Sequence, residues 1–509
     1  MSRGMPGGAA GALTFPDGWT IKLLAFINTR RLDAETTRTE DGMNTNSQQT
    51  GDGLQRRLGL FPLTNIVIAN MVGAGIFTTS GLLMKDLHHA GVMLALWIVG
   101  GLIALCGALS YGELGAALPH AGGEYAFLSR LFHPILGFLA GWVSFFVGFS
   151  APIAASAISF TEYMARAFPQ ILRLGIFGSP LAQSLLRALH VTSEDALKKI
   201  YAIAIIAAFT YLHSRGLEVG ARVQNLLTGL KILLIISLVA AGFAIGKGSL
   251  AHLTSSGPVS FDFAGWKMMG LSLMWIMFAY SGWNASAYIG SEVKDPARNL
   301  PRSLLIGTGA VIVLYLALNL FYIYAVPPAG MEGVISIGGL AAGNLFGKSA
   351  ETILSVLISF ALFSSLSAFI ILGPRVYYSM AKDGVFFKSL ALVHPKFGVP
   401  SRSIVLQGLI AGVLVLFGKF DQLLTYMGFS LGLFPILAVL GVFKLRKSGA
   451  SVVRMPGYPV VPSIYILAGV TILVLSFLQR PVESSIALAT VLVGIPIYLV
   501  FKKKYRLPG

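Results

Sequence analysis

The feature that most constrains this chain is a series of apolar segments, many about 18 residues long or longer, separated by short stretches carrying charge, proline or glycine. They fall at 59–83, 91–118, 125–165, 199–214, 221–246, 264–290, 301–326, 349–379, 402–418, 421–443, 459–479 and 484–502, about twelve in all. That length crosses a hydrocarbon core about 30 Å thick. In lipid a helix satisfies its backbone hydrogen bonds within one segment, so every segment is expected to be helical. The chain is 55% hydrophobic and 12% charged, with a mean hydropathy of +0.75, whereas a soluble chain devotes about a quarter of its residues to charge. The expected class is an all-α integral membrane protein embedded in a lipid bilayer.

The net charge of +17 raises the question of nucleic acid. Such binding needs a basic face on a soluble domain. Here the basic residues sit between apolar runs, among them Arg56, Arg57, Arg215, Arg375, Lys382, Lys444, Arg446 and Lys502–Lys504. That asymmetry is the topology-setting charge of the cytoplasmic side, and it places both termini in the cytoplasm. No nucleic-acid partner is expected. Cys106 is the single cysteine, so no intramolecular disulfide and no thiolate metal site can form. Residues 1–58 are polar and carry one short apolar patch at Leu23–Ile27. They read as a disordered cytoplasmic tail without a signal peptide, and Met43 is an alternative start to Met1.

Two spans carry weak points. The first contains Gly73-Ala74-Gly75-Ile76, where each mid-span glycine disfavours helix by about 1 kcal/mol relative to alanine. Close helix packing is the alternative explanation. The sixth contains Phe278-Ala279-Tyr280-Ser281-Gly282-Trp283-Asn284, a concentration of polar groups that is costly at bilayer depth unless it faces a cavity. An inter-helix polar contact is the alternative there. The pair is more informative than either part. An odd offset of five spans reverses the second copy, and breaks at matched places of an inverted repeat point to a transporter's midplane site. Half-helix N-termini attract an anion, while freed carbonyls accept from an ammonium. A zwitterionic amino acid offers both.

Several motifs carry a resemblance. Gly73-Ala-Gly-Ile-Phe77, Ser110-Tyr-Gly-Glu-Leu114 through Pro119-His-Ala-Gly-Gly-Glu-Tyr125, Phe278–Trp283, Glu292-Val-Lys-Asp-Pro-Ala-Arg-Asn-Leu-Pro301 and Arg375-Val-Tyr-Tyr-Ser-Met-Ala-Lys-Asp-Gly384 occur in that order. Over about residues 59–502 the chain resembles the amino acid–polyamine–organocation (APC) superfamily, closest to bacterial members related to the L-type amino acid transporters. The resemblance implies a LeuT-like fold: a 5+5 inverted repeat over 59–246 and 264–443, two further helices over 459–502, and a cytoplasmic C-terminus at 503–509. It implies a bacterial inner-membrane permease, either an exchanger or a proton-coupled carrier, for small to medium neutral L-amino acids. By motif, Gly73, Ala74, Gly75 and Ile76 would meet the substrate carboxylate. Phe278, Ala279, Tyr280, Ser281 and Trp283 would surround its amino group and side chain, with Phe278 as an aromatic gate.

Lys231 lies nine residues past Arg222 in the fifth span, about 14 Å deep at the helical rise. It reads either as a lysine paired with carbonyls for stability or, by the resemblance, as a fixed cation replacing sodium and bridging to the first span. No sodium dependence is expected, and proton coupling through Lys231 stands beside a permanently charged Lys231. Glu113 and Glu292 read as helix-end charges for pairing or gating, and Asn70 as a residue near the pocket. Phe146, Ser150, Ser364, Ser365 and Phe429 are weaker pocket candidates. His88, His89, His133, His213 and His394 lack metal-ligand spacing, so no metal or cofactor is expected. The chain lacks a cluster of acids, histidines or thiols at depth and is not read as an enzyme. The alternatives are a polyamine or cationic amino acid carrier, disfavoured because the spans show no mid-membrane carboxylate, and a nutrient receptor on the same scaffold. Segment 166–198 has no cysteine, so no disulfide-linked accessory subunit is expected.

Overall fold

The computed structural model describes residues 54–173, 184, 192–254, 260–334, 337–417 and 420–505. Of the tail read at 1–58, residues 1–53 lie outside the described residues, as does most of segment 166–198; residues 54–58 are ordered instead, with Leu54 and Leu58 buried and Leu58 bridged to Val293. Among those described the chain is all-α: the only β-type pairings are isolated bridges, Leu58 with Val293 and Ala121 with Ile289. Ten helices are long and apolar enough to cross a membrane. Two shorter helices, Phe263–Tyr280 and Ser401–Phe417, take the sixth and ninth places in the series. The bundle turns apolar side chains outward as well as inward; Leu102, Leu233, Val313 and Val500 are all more than half exposed. A helix apolar all round belongs in lipid.

The first span is two helices, Leu60–Met71 and Ala74–Leu87. The backbone leaves the helix at Val72 (φ −75°, ψ 87°) and Gly73 (φ −129°, ψ −155°). The sixth span ends its α-helix at Tyr280, with Ser281 extended at ψ 148° and Gly282 at φ +96°, a region that favours glycine. The sequence reading carried this span on as helix to 290. The chain instead continues in short 3-10 turns, Ala285–Tyr288 and Gly290–Glu292. Gly290 is pinned there by packing, because a β-carbon on it would lie 2.8 Å from the His120 carbonyl oxygen.

The third segment also differs from expectation. Residues 125–165 are not one helix: Glu124–Leu131 is a separate short helix, and the spanning helix starts at Pro134. Proline fits the first helical turn, where its missing N–H leaves nothing unpaired. Further along, the helix widens to a π-turn over Ser144–Ser150. Pro152 follows within two residues, and its ring clashes with the carbonyl four residues earlier, a recognised cause of such widening. The Ser150 hydroxyl donates to the Phe145 carbonyl at 2.7 Å.

Candidate functional site

The two breaks meet in the middle of the bundle. Gly75 packs against Ala279, so a β-carbon on Gly75 would lie 2.7 Å from the Ala279 Cα. Gly282 packs against Asn70 in the same way, at 2.7 Å from its Cβ. Here the small residues and the breaks are one device: close approach of two backbones requires both.

Breaking a helix frees carbonyls at one end and N–H groups at the other. The freed carbonyls of the first half-helix are met by three side chains from other spans. Lys231 Nζ donates to the Ala69 and Val72 carbonyls and, at 2.9 Å, to the Ser365 hydroxyl. Ser365 lies 3.1 Å from the Ala69 carbonyl and 2.7 Å from that of Val72. The Tyr315 hydroxyl lies 2.5 Å from the Met71 carbonyl and 2.9 Å from the Ala279 carbonyl, joining both breaks through the seventh span. All three side chains are buried. The second half-helix is left uncapped, since Gly73 at its N-cap has no side chain to accept from the first N–H groups. Bare helix N-termini of this kind attract anions.

Beside the breaks lies a cavity with about 1120 Å³ of empty space, counting its open mouth. Phe278, Ser281, Gly282 and Trp283 line it from the sixth span, Asn70 from the first, and Ser144, Gly148 and Phe149 from the π-turn of the third. Trp283 is fixed edge-on between Tyr111 and Tyr465, with ring centroids 4.8 Å and 5.6 Å away. Phe278 is half-buried at the cavity.

The residues singled out in the sequence therefore divide. Phe278, Ser281, Trp283 and Asn70 border the cavity; Gly73, half-buried, and the buried Ala74–Ile76 form the start of the second half-helix and are not among its lining residues. Ala279 presents its carbonyl to Tyr315 and its Cα to Gly75. Tyr280 is the clear correction. It is turned away from the cavity, with its hydroxyl donating to the Trp97 carbonyl at 3.1 Å and its ring packed on Trp97 and Tyr315. A one-residue step along a helix turns a side chain through about 100°, so neighbours of a lining residue need not line. Ser365 stands at the Lys231 junction, whereas Ser364 bonds Gln224 and Thr228. Phe429 lies tilted against Phe477, with ring centroids 6.4 Å apart, and is not among the cavity-lining residues.

Sequence reasoning missed Tyr315 and Glu124. Tyr315 is an ordinary aromatic in an apolar run; only its burial beside two broken helices reveals its role. Glu124 was passed over because hydropathy places it between spans. Yet it is 3% exposed and lines the cavity, which removes the argument that no carboxylate reaches pocket depth.

The other acids are paired. Glu292 receives two bonds from Arg375, at 2.7 and 3.2 Å, with both side chains 1% exposed. Its backbone carbonyl accepts from Arg57 and Leu58, tying the start of the first span to the end of the sixth. Glu113 accepts from Arg446, Ser451 and the Met455 N–H. His88 lies 2.8 Å from Glu332, and His213 lies 2.8 Å from Ser367. Among the described residues no three histidines, cysteines or acids stand together as metal ligands.

The profile of a family described as amino acid permease matches residues 58–498. The chain is 26% identical over 454 residues to the large neutral amino acids transporter small subunit 2 of Mus musculus, covering 88% of this chain and 82% of that one. It is 25% identical over 455 residues to the Asc-type amino acid transporter 1 of the same species, covering 88% and 81%. It is 26% identical over 462 residues to the serine/threonine exchanger SteT of Bacillus subtilis (strain 168), covering 89% of this chain and 98% of that one.

Proposed function

The chain belongs to the amino acid permease family, and from that premise we propose that it carries small to medium neutral L-amino acids across the membrane by alternating access around the first and sixth spans. The observation that carries this reading is the meeting of two broken helices beside a cavity. An uncapped helix start at Gly73 is available to a carboxylate, and the lining residues Phe278, Ser281 and Trp283 stand close by. A zwitterion satisfies such a place with both its charges, and a side chain of modest size extends into the cavity.

The same reading assigns the two halves, 59–246 and 264–443, to an inverted repeat that rocks about the breaks. Phe278 acts as the lid on bound substrate. Lys231 supplies a fixed positive charge where a sodium ion would otherwise bridge the fifth span to the first, so transport proceeds without sodium. The ends bearing Arg375, Arg446 and Lys502 face the cytoplasm of a bacterial cell, and the Glu292–Arg375 pair closes that side. No covalently linked subunit is required.

Flux of radiolabelled amino acids into liposomes containing the purified protein tests the reading. Uptake of serine, alanine or leucine, insensitive to sodium and reduced in Phe278→Ala, is the expected result. Uptake that requires internal amino acid identifies an exchanger. No flux of any neutral or cationic amino acid by well-folded protein overturns the assignment and favours a receptor on this scaffold.

A further inference from the structure

Glu124 is a buried acid that none of the roles above uses. It opens the short helix Glu124–Leu131 between the second and third spans. Its Oε1 accepts from the Tyr111 hydroxyl at 2.8 Å and from the Asn284 side-chain amide at 2.5 Å. These donors come from the second span and from the broken part of the sixth, so the carboxyl reports directly on the element that moves in alternating access. Oε2 is buried and holds no well-formed hydrogen bond among the described residues, the Tyr288 phenol lying beside the carboxyl. Glu124 is also the sole carboxylate among the residues lining the cavity, and no lysine, arginine or histidine lines it. An ionised carboxylate with one oxygen poorly paired and no countercharge is expensive to bury; a neutral carboxylic acid is far less so.

We propose that Glu124 is a proton-carrying site at the substrate cavity, taking up a proton on Oε2 from water while the cavity is open to one side and releasing it when the sixth span moves and opens the cavity to the other. The proposal rests on the transport reading above. In balance, one O–H bond forms with a proton drawn from water on one side, neutralising the carboxylate. The same bond breaks on the other side, returning the proton to water. The titratable groups facing Glu124 are the phenols of Tyr111, Tyr288 and Tyr465, from the second, sixth and eleventh spans; none is a cation. Burial raises the Glu124 carboxyl above its ordinary range, opposed by the nearby Tyr288 and Tyr111 hydroxyls and the Asn284 amide. Lys231 stands at a different place: its three N–H groups are engaged by the Ala69 and Val72 carbonyls and the Ser365 hydroxyl, and it is absent from the cavity lining.

The test uses full-length protein in liposomes enclosing a pH-sensitive dye, with serine, alanine, leucine and lysine supplied outside in turn. For the wild type, addition of a neutral amino acid carries protons inward. Its uptake falls about tenfold per pH unit above a midpoint, the slope of one titrating group. In Glu124→Gln proton movement is lost and the remaining flux is flat with pH. In Tyr111→Phe the midpoint moves upward, because one donor to the ionised carboxylate is gone; this variant decides the matter if Glu124→Gln does not fold. Wild-type amino acid flux without proton movement at any pH overturns the proposal and leaves the transport reading standing. So does unchanged proton movement in Glu124→Gln, or a selective loss of lysine flux, which would make Glu124 a site for a cationic side chain. Absence of all amino acid flux in the wild type removes the transport reading itself.

Discussion

Gly75 and Ala279 pack backbone to backbone where the two broken spans cross, with a β-carbon on Gly75 placed 2.7 Å from the Ala279 Cα and 2.8 Å from its Cβ. Neither of those atoms is the end of a flexible side chain, so neither can swing aside. Gly75→Ala must therefore push the spans apart, and overpacking of this kind costs about 1–3 kcal/mol. The expected outcome is a lowered thermal midpoint in detergent, with amino acid flux reduced about tenfold or more at that cost. An Ala279→Gly partner change relieves part of the clash and should restore part of the flux. Unimpaired flux in Gly75→Ala would show that the spans have room the packing denies.

Lys231 and Ser365 share the Ala69 and Val72 carbonyls. Lys231→Ala leaves a gap in a fully buried junction and removes three bonds from a charged donor. Losses of about 2–4 kcal/mol follow from the cavity and the lost charge-assisted bonds. Ser365→Ala removes a single hydroxyl and is expected to cost about 1 kcal/mol. Flux should vanish in the first variant and persist, weakened, in the second. Thermal unfolding of both, beside flux in liposomes, separates a folding defect from a transport defect: a stable but inactive Lys231→Ala assigns the lysine to the cycle.

Much of this was legible in the sequence because membrane spans are written in long apolar runs and breaks in glycine and polar residues. The first break falls at Gly73, inside the stretch singled out, and the second at Ser281–Gly282. What was not legible depends on direction. Tyr280 and Trp283 stand three residues apart in one polar stretch, yet one is buried against Trp97 away from the cavity and the other lines it. Periodicity cannot assign sides once a helix is interrupted between them. Glu124 shows a second limit. Hydropathy grades it as a loop residue, but its burial against Tyr111 of the preceding span and Asn284 of the distant sixth span is decided by tertiary packing. The break between Leu131 and Pro134 is marked in the sequence by Arg130, His133 and Pro134, signals outweighed by the apolar runs on either side of them.

The Glu292–Arg375 pair offers a measurement of closure at one end of the bundle. Both side chains are 1% exposed, and removing one partner strands the other charge in a buried place. Arg375→Ala should destabilise the protein by about 3–5 kcal/mol, as single deletions from buried pairs do. Glu292→Gln with Arg375→Met leaves no unpaired charge and should recover most of that loss. In flux assays the double variant separates gating from stability: if the pair holds that end shut, the double variant exchanges substrate faster than wild type at equal thermal stability. Equal rates would make the pair purely structural.

Tyr315 joins the two breaks through one oxygen, 2.5 Å from the Met71 carbonyl and 2.9 Å from that of Ala279. A hydroxyl has one proton to give, so it satisfies one of these carbonyls at a time and can pass between them as the spans move. Tyr315→Phe keeps the ring packed against Trp97 and Tyr280 and removes only that oxygen. The expected loss of stability is about 1 kcal/mol, larger if the abandoned carbonyl stays dry. The informative readout is the division between affinity and rate. If Tyr315 sets the geometry of the empty and occupied breaks equally, the apparent KM for the amino acid is unchanged and the maximal rate falls. If it serves mainly to present the carbonyls to the substrate's ammonium group, KM rises while the maximal rate holds. Flux measured over a range of serine concentrations in wild type and Tyr315→Phe distinguishes the two. The shared contact with both breaks favours the first outcome, because a group bonded to two moving elements acts on their relative position before it acts on a ligand.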